Sequence, residues 1–208
     1  MERWLSSNLL HSQVQSSQEM TTPTTQNAPL ERLLARQRCK HVQPHVKGKR
    51  VLDFGCGVNA WNAIEIQHIC THVDGVDRSL PSTLTTNGIN LYKEIDEIIG
   101  STYDVIIALA VFEHIKPLQL RDILTNLVNL THAESSIIGT VPSPRSRRVL
   151  EFLSYRLGMI DRSQIEDHKV YYDDLWLREI TEGTGWRLHQ YKRFQLGMNG
   201  FFWLRRAY

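Results

Sequence analysis

The chain has 208 residues, a formal charge of +2 and a composition that is 41% hydrophobic. That length can bury a sizeable core and favours one domain, while so small a charge gives no electrostatic case for a nucleic-acid partner. No apolar run reaches the roughly 20 residues of a membrane span. The expectation is also of no secretory signal, because the first residues lack a basic region followed by an apolar stretch. Cys39, Cys56 and Cys70 are odd in number and lack metal-ligand spacing, so they read as reduced thiols of a cytoplasmic protein.

In chain order, residues 1–29 read as a flexible arm. Between Ser12 and Asn27 the composition is mostly Ser, Thr and Gln, with few apolar groups to offset the entropy of ordering. A dispensable tail is favoured over a functional lid, although Trp4, Leu5, Leu9 and Leu10 suit a short docking helix. Residues 30–208 read as a single domain. Leu30, Leu33 and Leu34 have helical spacing, and Pro44 is expected to stop that helix. Val51 to Phe54 is a buried strand that empties into the turn Gly55-Cys56-Gly57; a helix is expected over 60–72, and a second strand over 73–76 ends on Asp77. Residues 88–92 give a poor third strand, and the uniformly apolar run 105–111 suits a central parallel strand covered on both faces. Leu120, Ile123, Leu124, Leu127 and Leu130 repeat at helical spacing, and residues 136–141 form the next strand, ended by Pro142. Asp173 is a good N-cap for a helix carrying Leu175, Trp176 and Ile180, which Gly183 and Gly185 close. Two strand-like runs, 186–194 and 201–207, joined by Gly197-Met198-Asn199-Gly200, make a terminal antiparallel hairpin.

The strand, glycine turn, helix and second strand form a nucleoside-binding unit. Glycines let the backbone approach a ligand, and the N–H groups freed at the following helix start favour an anion. Asp77, about twenty residues past the turn, can accept hydrogen bonds from both hydroxyls of a ribose. Asp53 separates nucleotide types. Dinucleotide enzymes usually carry an apolar residue there, whereas an acid suits a cationic ligand group.

On these residues the chain resembles the class I S-adenosylmethionine-dependent methyltransferases. Asp53-Phe54-Gly55-Cys56-Gly57-Val58-Asn59 is similar to that family's first motif, with Asn59 in place of the third glycine; asparagine is the ordinary residue that best tolerates a left-handed backbone. Tyr103 to Ala108, running into Phe112-Glu113-His114-Ile115, resembles the fourth strand and Glu-His signature of the small bacterial group that methylates quinones, lipids and sugars. The resemblance covers roughly residues 45 to 208. It implies an α/β, Rossmann-like, doubly wound sheet of seven strands, mostly parallel, with the C-terminal hairpin supplying the antiparallel strand. It implies S-adenosylmethionine as cofactor, with contacts from Asp53, Gly55, Cys56, Gly57, Asn59, Asp77, Arg78, Leu109 and Ala110. Relatives that hold a metal carry a further acid three residues before the Glu-His pair; here Ala110 stands there, so no metal is expected.

Methyl transfer from an activated sulfonium rests mainly on alignment, but a hydroxyl acceptor needs a base. Candidates are His114, just past the fourth strand, and His168, in the loop Ile165-Glu166-Asp167-His168-Lys169. His114 could equally brace its turn, His168 could be an ordinary loop histidine, and Glu113 reads as a structural tie. Arg145, Arg147 and Arg148, followed by an apolar helical pattern, could clamp a phosphate or carboxylate of the acceptor beneath a lid; a solvated basic turn before a core helix is the alternative. The reading is a methyltransferase acting on oxygen of a small molecule, sugar or lipid-linked intermediate, with no nucleic acid, no membrane span and room for peripheral membrane contact. Oligomeric state is not legible. The alternatives are an NAD-dependent oxidoreductase, suggested by Gly55-x-Gly57-x-x-Ala60 with Asp77, and a non-catalytic binding subunit.

Overall fold

The computed structural model describes residues 28–143 and 173–207, the first eight of them by backbone alone. Helix α1 (Ala28–Val46) precedes β1 (Arg50–Phe54), α2 (Trp61–Ile66) and β2 (His72–Val76). A short hairpin of β3 (Leu84–Thr86) and β4 (Ile89–Tyr92) follows, then β5 (Tyr103–Leu109), α3 (Pro117–Leu127) and β6 (Thr131–Pro142). Helix α4 (Asp174–Thr181) leads into β7 (Trp186–Phe194) and β8 (Asn199–Arg206).

The strands form one sheet in the order β3-β4-β2-β1-β5-β6-β8-β7. The five inner strands from β4 to β6 are parallel, and β3, β8 and β7 add antiparallel edges. The chain builds outward from β1 through β2 to β4, then returns to lay β5 on the other side of β1. Ligands in open α/β sheets bind outside the carboxyl ends of the strands at such a reversal.

Alternation along the strands divides the core. Val51, Ile107 and Ile138 face α1 and α2, where they meet Val42, Val46, Ala63 and Ile66. Leu52, Ile106, Ile137 and Leu204 face the other way, onto Leu120, Leu124 and Leu127 of α3 and Leu177 and Ile180 of α4. The indole of Trp186 donates to the Leu124 carbonyl at 2.8 Å, tying the edge strand β7 to α3.

The expected α/β architecture stands, with eight strands rather than seven. The additional β3 comes from Asn87-Gly88, both left-handed at φ 50° and 76°, which form a two-residue hairpin turn. Pro44 does not stop α1, which runs two residues past it. A proline removes only its own N–H bond there, and buried Val42 and Val46 hold the last turn down. Helix α2 is shorter than expected because the chain after it bonds instead to the α1–β1 turn, through Gly48 N–H to Ile69 O at 2.8 Å and Thr71 N–H to Lys49 O at 3.0 Å. Strand β5 stops at Leu109, since Ala110 turns left-handed at φ 59°. Pro142 is the last residue of β6 and pairs with Asn199, so the terminal hairpin turns over residues 195–198. Asp173 caps α4 as expected, accepting from Trp176 N–H at 3.0 Å.

Gly139 shows how tightly the sheet is packed. A Cβ at that position would lie 2.3 Å from the Ala108 carbonyl oxygen and 2.3 Å from the Phe202 ring. The carbonyl cannot withdraw without disturbing the β5–β6 ladder, so Gly139→Ala should destabilise the fold by about 1–3 kcal/mol. Urea denaturation checks this; an unchanged midpoint would contradict the close approach of β5, β6 and β8.

Candidate active site

The carboxyl ends of β1 and β2 are stitched together by the glycine turn. Gly55 and Gly57 are left-handed at φ 79° and 66°. The N–H groups of Gly55 and Cys56 both donate to the Val76 carbonyl, at 2.8 and 3.3 Å. Gly57 N–H donates to Asp77 Oδ2 at 2.7 Å. These three amides are therefore engaged within the protein. Asp77 Oδ1 accepts from both the N–H and the hydroxyl of Ser79, at 2.8 and 2.5 Å. With about four acceptor positions on a carboxylate, Asp77 keeps one for a ligand hydroxyl unless Ser79 gives way.

Each glycine answers a different constraint. A Cβ on Gly55 would fall 2.5 Å from a methyl of Val111, whereas one on Gly57 would meet nothing within 4 Å. Gly57 thus faces open space, as a backbone cradle for a ligand should. A Cβ on Gly75 would sit 2.8 Å from Cys56 Sγ, so the Cys56 side chain packs back onto β2. Burial pushes its thiol pKa upward, and only the Cys56 backbone is available to the turn.

The left-handed residue after the turn is Ala60 at φ 47°, rather than exposed Asn59. Its carbonyl accepts from Ile64 N–H at 2.9 Å and opens α2, and its methyl is wholly buried. An asparagine amide there would have to be satisfied inside the core, so burial outweighs the backbone preference, at a cost of about 1–2 kcal/mol.

Because Ala60 offers no side-chain acceptor, Asp53 supplies one from β1. Its Oδ2 accepts from Ala63 N–H at 3.1 Å, one of the donors a helix start leaves unpaired. Asp53 is 0% exposed, and its other carboxyl oxygen has no hydrogen-bond partner among the described residues. Burial pushes its pKa up to about 7. In this conformation Asp53 faces α2, correcting the view of it as an open counter-ion for a cationic ligand. Glu113 has a similar environment in the single turn Phe112–His114: it is 1% exposed, and Oε2 is unpaired. Burial pushes its pKa up to about 8, opposed by its own backbone amide and by the charge of Arg38 on α1.

Beside the turn, on the α3 side of the sheet, lies an open cleft of about 260 Å³. Phe54, Val76, Ile95, Val111 and Ile115 give it apolar walls, and Asp77, Arg78, Glu94 and His114 bring polar groups. Arg78 pairs with Glu94 at 3.2 Å in an exposed ion pair of small energetic worth. Leu109 is buried at the end of β5, and Ala110 N–H bonds to Thr140 O at 3.0 Å. The structure thus brings Gly55, Asp77, Arg78 and His114 to one cleft, with Gly57 on the adjoining turn. Glu94, Ile95 and Val111 were not anticipated, although Glu94 follows the end of β4 much as Asp77 follows β2. Arg145, Arg147, Arg148, His168 and most of the N-terminal arm lie outside the described residues. Among the described residues no cluster of His, Cys, Asp and Glu is built to hold a metal, and no helix is long and apolar enough to cross a membrane.

A fold reversing at β1, a glycine turn with open space above it and an acid closing β2 define a Rossmann-like nucleoside-binding enzyme. The family model for the methyltransferase domain matches residues 26–191, and the chain belongs to that family. Membership sets aside the oxidoreductase alternative. The fold is similar to that of magnesium protoporphyrin IX methyltransferase from Synechocystis PCC 6803, at 15% identity over 85% of this chain and 84% of that one, with a TM-score of 0.56. It is also similar to the CcbJ methyltransferase from Streptomyces caelestis, at 12% identity over 84% and 90% of the two chains, with a TM-score of 0.60. The N-methyltransferase NodS from Bradyrhizobium japonicum WM9 shares 12% identity over 88% of this chain and 99% of its own, with a TM-score of 0.55. No curated protein matches the sequence.

The buried acid of the site has a measurable signature. An aspartate ionises near pH 3.9 when unfolded but near 7 in the folded protein. Between those values the folded state binds more protons, so this group's contribution makes stability fall as pH rises. Asp53→Asn keeps an acceptor for Ala63 and should make that fall shallower, gaining on the parent from about pH 4 to 7. Urea midpoints across this range test it; parallel curves for parent and variant would show that Asp53 titrates normally.

Proposed function

We propose that this enzyme transfers a methyl group from S-adenosylmethionine to a hydroxyl of a small-molecule, sugar or lipid-linked acceptor. The observation that carries the cofactor assignment is the open space over Gly57 next to Asp77, on a turn that the protein's own hydrogen bonds hold in place. The Synechocystis relative has been crystallised with S-adenosylhomocysteine and with S-adenosylmethionine, which supports the same choice here. Asp77 would hold one ribose hydroxyl, and the second where Ser79 gives way, the apolar walls by Ile95, Val111 and Ile115 would hold the adenine, and the backbone at Gly55 and Gly57 would admit the chain of the cofactor. Bound there, S-adenosylmethionine supplies an already activated methyl group. The protein's task is then to align the acceptor and remove its proton. His114, on the cleft wall, is the described candidate for that base, and His168 is the second. The substrate contacts assigned to Arg145, Arg147 and Arg148 belong to the same proposal.

Asp77→Ala should weaken S-adenosylhomocysteine binding by about 1.5–3 kcal/mol, through loss of charge-assisted hydrogen bonds. Gly57→Val should weaken it further, by filling the open space and opposing the left-handed backbone. Isothermal titration calorimetry on folded variants provides the measurement, and parent-like affinity in both would place the cofactor elsewhere.

With an acceptor in hand, replacing the true base by glutamine should lower turnover by roughly 10²–10⁴-fold while leaving cofactor affinity nearly intact. The decisive comparison is His114→Gln against His168→Gln in a methyl-release assay. Full activity in both would mean an acceptor that needs no histidine base.

A further inference from the structure

On the opposite face of the sheet from the cofactor cleft, α1 and the terminal hairpin border a second, open hollow of about 240 Å³. His41 and His45 are one helical turn apart and share a face of α1. On β7, Lys192 and Phe194 are two residues apart and share a face of the sheet, and Phe201 of β8 is the register partner of Lys192. These five residues, with the amide of Gln190, line the hollow. The imidazoles are held against rings: His41 lies 4.3 Å from Phe194 between centroids, and His45 lies 5.9 Å from Phe201 in a stacked arrangement. A further ring, Trp203, meets the edge of His45 at 4.8 Å.

The charge here is one-sided. Among the described residues no acid lines the hollow, and Arg193 is a further lining cation. Lys192 makes no hydrogen bond or ion pair among the described residues. Burial, followed by the charge of Lys192, holds the His45 pKa below the ordinary value. Gathering protonatable nitrogens with no counter-ion costs folding energy, which a bound anion would offset. A phosphate matches the donors better than a carboxylate does, since it offers three acceptor oxygens and about −1.5 to −2 charges to two imidazoles, an ammonium and an amide.

We infer that the hollow between α1 and the β7–β8 hairpin is a binding site for a phosphate group, with Phe194 and Phe201 covering the apolar part of its ester. No described residue lines both this hollow and the cofactor cleft. The inference therefore goes beyond the proposed function and does not depend on it.

The test uses the full chain. Glycerol phosphate is titrated in one arm, and vesicles of phosphatidic acid in phosphatidylcholine in the other, while the histidine ring signals are followed by NMR. Saturable shifts at His41 and His45 are expected in at least one arm, with the His114 signal unmoved. The double variant His45→Gln, Lys192→Gln should weaken that binding at least roughly tenfold and leave S-adenosylhomocysteine affinity unchanged. Binding in the soluble arm alone identifies a free phosphate ester; binding to vesicles that the double variant loses identifies a lipid headgroup. No saturable shift in either arm, or a folded double variant that binds like the parent, overturns the site. Failure of the parent to bind S-adenosylhomocysteine would count against the methyltransferase cofactor reading alone.

Discussion

The carboxylate of Asp77 is the constraint on which the active-site edge depends. It sits where β2 ends, yet its Oδ2 holds Gly57 at 2.7 Å across the turn that follows β1. A charge-assisted bond of this kind is about twice as strong as a neutral one, and it acts on a segment whose left-handed residues would otherwise disperse. The parallel register of Phe54 with Val76 brings the two strand ends level, so Gly55 and Cys56 reach the Val76 carbonyl while Gly57 reaches the acid. The position of the turn is thus set by strand pairing and one side chain. Because that side chain also faces the cleft, loop order and ligand affinity are coupled through a single group.

Several departures from what stability alone would choose lie at this edge. Ala60 and Ala110 are left-handed without being glycine, and Asp53 and Glu113 each bury a carboxyl oxygen with no partner. Each feature costs free energy, by backbone strain or by desolvation. All four lie just past or just before the carboxyl ends of β1 and β5, the strands that flank the reversal of chain direction. Helix α1 lies close to both acids: the charge of Arg38 acts on Glu113, and Cys39 lies near Asn62, which adjoins Asp53. Asn87, Gln195 and Leu196 are left-handed too, but in hairpin turns; the two buried carboxyl oxygens that lack a partner among the described residues both lie at this edge, where buried acids point to a working site.

The legible parts of the sequence were those where one physical demand dominated. Val105 to Leu109 is uniformly apolar because helices cover both faces of its strand, and Asp173 reads as a cap because its short side chain reaches the first turn of α4, accepting from Trp176 N–H. Competing demands hid the rest. Asn59 tolerates a left-handed backbone better than Ala60, but Ala60 is the buried one, and burial decided. Asp53 has the residue type of a ligand contact, yet strand alternation turns it with Val51 toward the bare start of α2. Strand β3 is too short for periodicity to show, although Asn87-Gly88 announced its turn. The hollow at His41, His45 and Lys192 was invisible for a different reason: its parts are far apart in the chain, and only the sheet order β6-β8-β7 brings the hairpin beneath α1.

That same order places the two proposed sites on opposite faces of one sheet. The cofactor cleft opens on the α3 side, against Phe54, Val76 and Ile123, and the basic hollow lies on the α1 side, against Phe201. Both lie toward the carboxyl edge of the parallel strands, since Pro142 at the end of β6 pairs with Asn199 at the start of β8. A reaction that depends on alignment gains from anchoring its partners on a rigid frame, where small displacements are costly. Here the frame is the close contact of β5, β6 and β8 at Gly139, where a single added carbon would collide with backbone.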